Sequence, residues 1–272
     1  TEPGRWSADA GPPKDLIARS FGRAAAGYDA VASLQRAIGQ QLLGSAPEAH
    51  EFDMRRVLDV GAGTGYFSAA LAERYPGARV IALDLAEGML KHAAGRFAGW
   101  RVAGDAEALP VASRSVDLVF SNVALQWASS ARLAFQEFHR VLRPGGRVLF
   151  TSFGPGTLRE LREAWARVDS YTHVNEFITP DVLRALLREA GFVGISLHQE
   201  SRVLDYPDVF ALMRELKSLG ARNLNPGRPR HLLGRGALAA LRTTYPLAAS
   251  GRAAASFEVI ECRASRELEG RL

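Results

Sequence analysis

The sequence predicts an α/β protein built on a mostly parallel, seven-stranded sheet with helices on both faces. Three observations carry that expectation. Short apolar runs alternate with amphipathic stretches between Arg56 and Phe153, the rhythm of right-handed βαβ units. The runs are apolar throughout rather than alternating, as strands buried on both faces are. The first of them ends directly in Gly61-Ala62-Gly63-Thr64-Gly65, a glycine loop between strand and helix.

Each element follows from its local pattern. Residues 15–44 carry Ala, Leu and Ile at helical spacing, broken near Gly27-Tyr28-Asp29, and predict an N-terminal helical cover over residues 15–50. The core, 55–153, has predicted strands at Arg56–Val60, Arg79–Leu85, Arg101–Asp105, Val116–Val123 and Arg147–Phe153. The helices between them are predicted at Tyr66–Tyr75, Glu87–Phe97 and Ala131–Leu142, with Arg143-Pro144-Gly145-Gly146 as a turn. Leu158–Val168 and Thr179–Ala190 read as further helices, Gly194–Leu204 and Ser256–Ala264 as closing strands. Between those strands lies an insert, 206–252, with helices at Pro207–Leu219 and Gly236–Thr244. Residues 15–272 read as one domain, and the Pro- and Gly-rich residues 1–14 as a disordered lead.

Composition narrows the function classes. No apolar run reaches the ~18 residues of a membrane span, and the N-terminus has no apolar stretch of a signal peptide. The single cysteine, Cys262, can form neither an internal disulfide nor a cysteine metal site, which points to a reducing, cytoplasmic setting and no metal. The net charge of +5 is local: residues 209–252 hold eight Lys or Arg against one acid, Glu215. That segment is +7 and the remainder −2. A local basic surface suits an acidic partner.

Three acids lie at the ends of the first three predicted strands. Glycines in the 61–65 loop allow positive φ and close approach to a ligand, at the sheet edge where open α/β folds bind ligands. The third glycine comes one residue earlier than in the dinucleotide fingerprint, which favours a ligand without a pyrophosphate. Asp59 before the loop suits an ammonium or a sulfonium. Asp84 suits two ribose hydroxyls, as well as the cap of the next helix. Asp105 in Gly104-Asp105-Ala106-Glu107-Ala108-Leu109-Pro110 suits an adenine amino group.

Taken together, VLDVGAGTG, the acid of ALDL, GDAEALP, VDLVFSNVALQW and RVLRPGG resemble the successive motifs of class I, Rossmann-like S-adenosylmethionine-dependent methyltransferases. The resemblance implies that Asp59, Gly61, Ala62, Gly63 and Gly65 hold the methionine part of the cofactor. It implies Asp84 and Leu85 at the ribose, Asp105 and Ala106 at the adenine, and Asn122 facing the cofactor. The flanks narrow it. FGRAAAGYD (21–29), Leu125-Gln126-Trp127, TSFGPGTL (151–158), His173-Val174-Asn175 and LKSLGARNLN (216–225) are similar to the malonyl-acyl-carrier-protein O-methyltransferase family of biotin synthesis.

Such a reaction needs no general base, because a carboxylic acid with a pKa near ~4 is already ionised. Approach geometry and exclusion of water remain for the protein to supply. Tyr28, Gln126 and Trp127 are the candidates for that work, with Phe21 beside the substrate. Arg143, Arg222 and Arg228 are the candidate partners of a malonyl carboxylate. The basic insert would then meet an acidic acyl carrier protein, or the malonyl group would arrive on coenzyme A. Two alternatives stand beside this reading. One is a methyltransferase for a free small acid such as aconitate. The other is an RNA methyltransferase or RNA-binding protein using the basic insert, against which stands the lack of interleaved aromatic residues.

Overall fold

The computed structural model describes residues 12–48, 53–221, 223–224 and 234–268. Helices α1 (Lys14–Val31) and α2 (Ser33–Gly44) form the cover. The break between them falls at Ala32, not at Gly27-Tyr28-Asp29, because Gly27 stays helical while Ala32 leaves the helical region at φ −86°, ψ 34°. Residues 1–11 of the expected lead lie outside the described residues, and Lys14 is already the first residue of α1.

The core then runs β1 (Arg56–Val60), α3 (Tyr66–Arg74), β2 (Arg79–Asp84), α4 (Glu87–Ala93), β3 (Trp100–Ala103), β4 (Val116–Ser121), α5 (Ala131–Val141) and β5 (Leu142–Phe153). Helices α6 (Arg159–Ala166) and α7 (Pro180–Glu189) lead to β6 (Phe192–Tyr206). Helices α8 (Val209–Ser218) and α9 (Arg235–Thr244) precede β7 (Ala253–Arg266). Strand β5 starts five residues before the expected Arg147: Arg143-Pro144-Gly145-Gly146 stays within the strand, with a register irregularity against β4.

The seven strands lie in the order β3-β2-β1-β4-β5-β7-β6, with β7 antiparallel to both its neighbours and the first five parallel. Chain order reverses between β1 and β4, and the ends of these strands open the crevice in which such sheets bind ligands. Burial explains the apolar strands: all six residues of β4 are buried. Helix α5 sets Ala134, Phe135, Phe138 and Val141 on one face, and Phe135 packs 5.3 Å from Phe150 of β5. Removing such a ring costs about 3–5 kcal/mol.

The cover is fastened by a close helix contact. A Cβ on Gly88 of α4 would lie 2.8 Å from Gly22 Cα and 2.9 Å from its carbonyl oxygen in α1. In an open helix Gly→Ala is favourable by about 1 kcal/mol. Here the opposing atoms are backbone, so no rotamer relieves the overlap and α1 must move away. Gly88→Ala is expected to expose residues 14–31 to limited proteolysis while the sheet keeps its cooperative unfolding. Unaltered protection of α1 would contradict that contact.

Candidate active site

At the carboxyl ends of β1 to β4 the fold forms a chamber roofed by α1. The turn after β1 shapes its floor. Gly61 and Ala62 both donate their N–H to Leu83 O, at 2.8 and 3.0 Å. Gly63 N donates to Asp84 Oδ2 at 2.8 Å, and Ala86 N donates to Oδ1 at 2.7 Å. Gly61 has φ +75° and a Cβ there would strike Ala124 Cβ at 2.3 Å. Gly63 has φ +55° and open space where its Cβ would stand. Burial pushes the Asp84 carboxyl up, opposed by the two N–H bonds.

Of the cofactor residues expected from sequence, Gly61, Gly63, Asp84, Leu85, Asp105, Ala106 and Asn122 line this chamber. Asp59, Ala62 and Gly65 do not. Asp59 is buried behind the turn and accepts a hydrogen bond from Ser68 Oγ at 2.6 Å. Ala62 is buried among α3 and neighbouring core residues. Gly65 starts α3 at φ +75°, where a Cβ would lie 2.9 Å from Ala93 Cβ. Its glycine serves helix packing.

The roof is tied down by charge. Lys14 Nζ reaches Asp105 Oδ2 at 2.5 Å and Glu107 Oε2 at 2.9 Å. At the other end of α1, Asp29 accepts from Thr64 Oγ1 and Arg96 Nη2, each at 2.7 Å. Burial works against ionised Asp29, but these two partners outweigh it and hold its carboxyl below the usual range. Tyr28 next to it is kept a neutral phenol, first by burial and then by Asp84 and Asp29.

A second chamber adjoins the first, and Phe21, Tyr28, Val123 and Trp127 line both. Phe21 and Trp127 meet edge to face at 5.1 Å. Gln126 lines only the outer chamber. Val123 sits in the left-handed region at φ +49°, a costly place for a β-branched residue and one found at functional sites. Asn122 Nδ2 donates to Gln35 O at 2.9 Å, and its Oδ1 accepts from Thr151 Oγ1 at 2.8 Å.

The arginines come out differently. Arg143 lies at the opposite, amino-terminal edge of the sheet. Its Nε pairs with Asp117 Oδ1 at 2.6 Å, and Asp117 also accepts from Arg55 N and Arg56 N. It supports strand starts and cannot reach either chamber. Arg222 and Arg228 lie outside the described residues. Among the described residues no Lys or Arg lines the outer chamber; its titratable side chains are Tyr28, His173 and Glu215. His173 stacks on Trp165 at 3.8 Å and hydrogen bonds through Nε2 to Asp169 Oδ1 at 2.8 Å. Sequence reasoning singled out His173 without giving it a role, and missed Gln35 and Lys14 altogether.

The methyltransferase domain family model matches residues 58–150. A malonyl-[acyl-carrier protein] O-methyltransferase of Methylococcus capsulatus is 50% identical over 256 residues, 92% of each chain. The chain belongs to the malonyl-[acyl-carrier protein] O-methyltransferase family. A relative of the same name from Serratia marcescens is 44% identical over 86% of this chain and 89% of its own. The fold is shared with the YcgJ protein of Bacillus subtilis, 20% identical, TM-score 0.59, covering 86% of this chain and 99% of that one. It is shared also with a SAM-dependent methyltransferase of Thermotoga maritima, 21% identical, TM-score 0.55, covering 92% and 100%. The protein is an S-adenosylmethionine-dependent O-methyltransferase. Its inner chamber fits that cofactor: a glycine turn with open space at Gly63, and an acid at the end of β2. Among the described residues there is no group of side chains that could hold a metal, and no helix long and apolar enough to cross a membrane.

Asp59 carries a pH signature. Burial, helped by the charge of Asp84 and opposed by the Ser68 hydrogen bond, pushes its carboxyl up to about 7. An unfolded aspartate titrates near ~4, so the folded chain binds the extra proton between those values and stability falls as pH rises through that window. Above it the penalty is complete. Asp59→Asn, which still accepts from Ser68, is therefore expected to unfold at a higher temperature relative to the parent at pH 8 than at pH 5. A gap independent of pH would contradict a buried, protonated Asp59.

Proposed function

We propose that the chain transfers the methyl group of S-adenosylmethionine to the free carboxylate of a malonyl thioester, on an acyl carrier protein or coenzyme A. The observation that carries this is the pair of chambers sharing one wall at Phe21, Tyr28, Val123 and Trp127. One accepts an adenosine-bearing ligand, the other an acceptor, and the wall is where they meet. The relatives' names supply the acceptor class.

S-adenosylmethionine supplies an electrophilic methyl group on a sulfonium. Asp84 and Leu85 would hold its ribose, the 61–63 turn its methionine part, and Asp105 with Ala106 its adenine. Asn122 braces the end of β4 through its bonds to α2 and β5. On the acceptor side, Tyr28 offers a neutral O–H as donor, and Trp127 and Phe21 exclude water from the junction. The carboxylate arrives ionised, so no residue has to remove a proton. His173, its ring fixed by Trp165 and Asp169, would stand on the acceptor side of the outer chamber. Asp59 acts from behind the turn, through Ser68 on α3.

A single carboxylate suits this chamber better than a free polycarboxylic acid. Glu215 stands on its wall, hydrogen bonded to Tyr206 at 2.8 Å, and would repel further negative charge. The basic segment favours a carrier protein over RNA. Its exposed Arg214 and Lys217 lie on α8, the helix whose Glu215 and Leu216 line the acceptor chamber. An acidic protein steered there would deliver its arm into that chamber.

Transfer of labelled methyl to malonyl-acyl carrier protein tests the reading, with malonyl-coenzyme A and acetyl-acyl carrier protein beside it. Label on malonyl substrates and none on the acetyl one is expected, with the carrier protein's rate falling as salt rises. Label on the acetyl substrate, or on no malonyl substrate, would contradict it.

A further inference from the structure

Two residues that line the outer chamber carry a buried side-chain oxygen with nothing to accept. Gln35 Oε1, on α2, and Gln126 Oε1, in the short turn after β4, are buried without a hydrogen-bond partner, and both residues line the chamber. The orientation of Gln126 is fixed, because its Nε2 donates to Val123 O at 2.7 Å. The oxygen is therefore the free end. The bond also holds the strained Val123 at the junction of the chambers. Gln35 is anchored by its backbone, whose carbonyl accepts from Asn122 Nδ2 at 2.9 Å.

A buried carbonyl oxygen left unpaired costs about 1–3 kcal/mol. Native proteins keep few such atoms, and two on residues that line one cavity point to a ligand that brings donors. The acceptor chemistry proposed above limits what they are. A malonyl group has no N–H, and neither has a thioester. The pantetheine arm that carries the thioester on carrier protein and coenzyme A alike has two amide N–H groups, separated along the arm by an amide carbonyl and two methylenes.

We propose that Gln35 and Gln126 form a binding site for the amides of the substrate's pantetheine arm, each Oε1 accepting one amide N–H. This rests on the thioester reading of the outer chamber. It adds a selection rule: an acid without the arm, such as a free tricarboxylic acid, leaves both oxygens unpaired and is rejected on that account. The wall that ends in Gln126 also faces the reaction, so a seated arm sets how far the malonyl carboxylate reaches towards the junction.

The test compares malonyl-pantetheine with an analogue in which both amides are esters, replacing each N–H by oxygen at the same chain length. With the parent enzyme KM is expected to rise ten- to hundredfold for the ester. Gln35→Leu gives up no side-chain hydrogen bond of the free protein. It should raise KM for the amide substrate about tenfold, narrow the amide-to-ester ratio, and leave Tm unchanged or higher. A merely structural Gln35 would instead lower Tm and raise both KM values together. If the parent uses amide and ester equally well, water already serves these oxygens and the inference fails, while the methyl transfer itself still stands. If neither compound nor malonyl-acyl carrier protein takes label, the thioester reading fails, and this inference with it.

Discussion

The carboxylate of Asp84 accepts one backbone N–H from Gly63 and another from Ala86, and so ties the turn after β1 to the start of α4. Nearly every feature of the inner chamber depends on that bond pair. The turn can lie flat against β2 only because Gly61 and Gly63 adopt positive φ, and it stays there because Leu83 O and Asp84 take its N–H groups. The same carboxylate keeps its remaining acceptor capacity towards the chamber. A single side chain thus builds the floor and presents the group suited to sugar hydroxyls.

Around that floor the cover is held at three places. Lys14 meets Asp105 and Glu107, Gly22 lies against Gly88, and Asp29 is clamped by Arg96 and Thr64. These pairs are partly exposed, so each ion pair is worth little alone. Their value is positional: they set Phe21, near the middle of α1, and Tyr28, near its end, over the junction of the chambers. The cover is therefore part of the site, and what closes the inner chamber also forms the inner wall of the outer one.

Local signals were read well from sequence, and non-local ones were not. The strands of the core are apolar because both faces are covered, and that pattern needs no knowledge of partners. The place of the glycine turn and of Asp84 on the chamber was legible because it is set by position at a strand end. Asp59 shows the limit: its residue type suggested a ligand contact, but burial behind the turn gives it Ser68 instead. Arg143 misled for a different reason. It lies at the start of β5, so strand direction alone puts it at the edge away from the site, where Asp117 takes its charge. The insertion of β7 between β5 and β6, the pairing of Lys14 with Asp105, and the convergence of Gln35, Gln126 and His173 join residues far apart in the chain. No spacing rule brings those together. The break at Ala32 was misplaced because Gly27 and Tyr28 look like a stop, while tertiary contacts of Tyr28 and Asp29 keep α1 helical through them.

The central claim is that Asp84 organises the cofactor chamber. Calorimetric titration of S-adenosylhomocysteine into the parent and into Asp84→Ala tests it most directly. Binding is expected to be about a hundredfold weaker in the variant, roughly 3 kcal/mol, with the far-ultraviolet circular dichroism of the sheet intact. Equal affinity in the two proteins would contradict it, because neither the turn nor the ribose contact would then depend on that carboxylate.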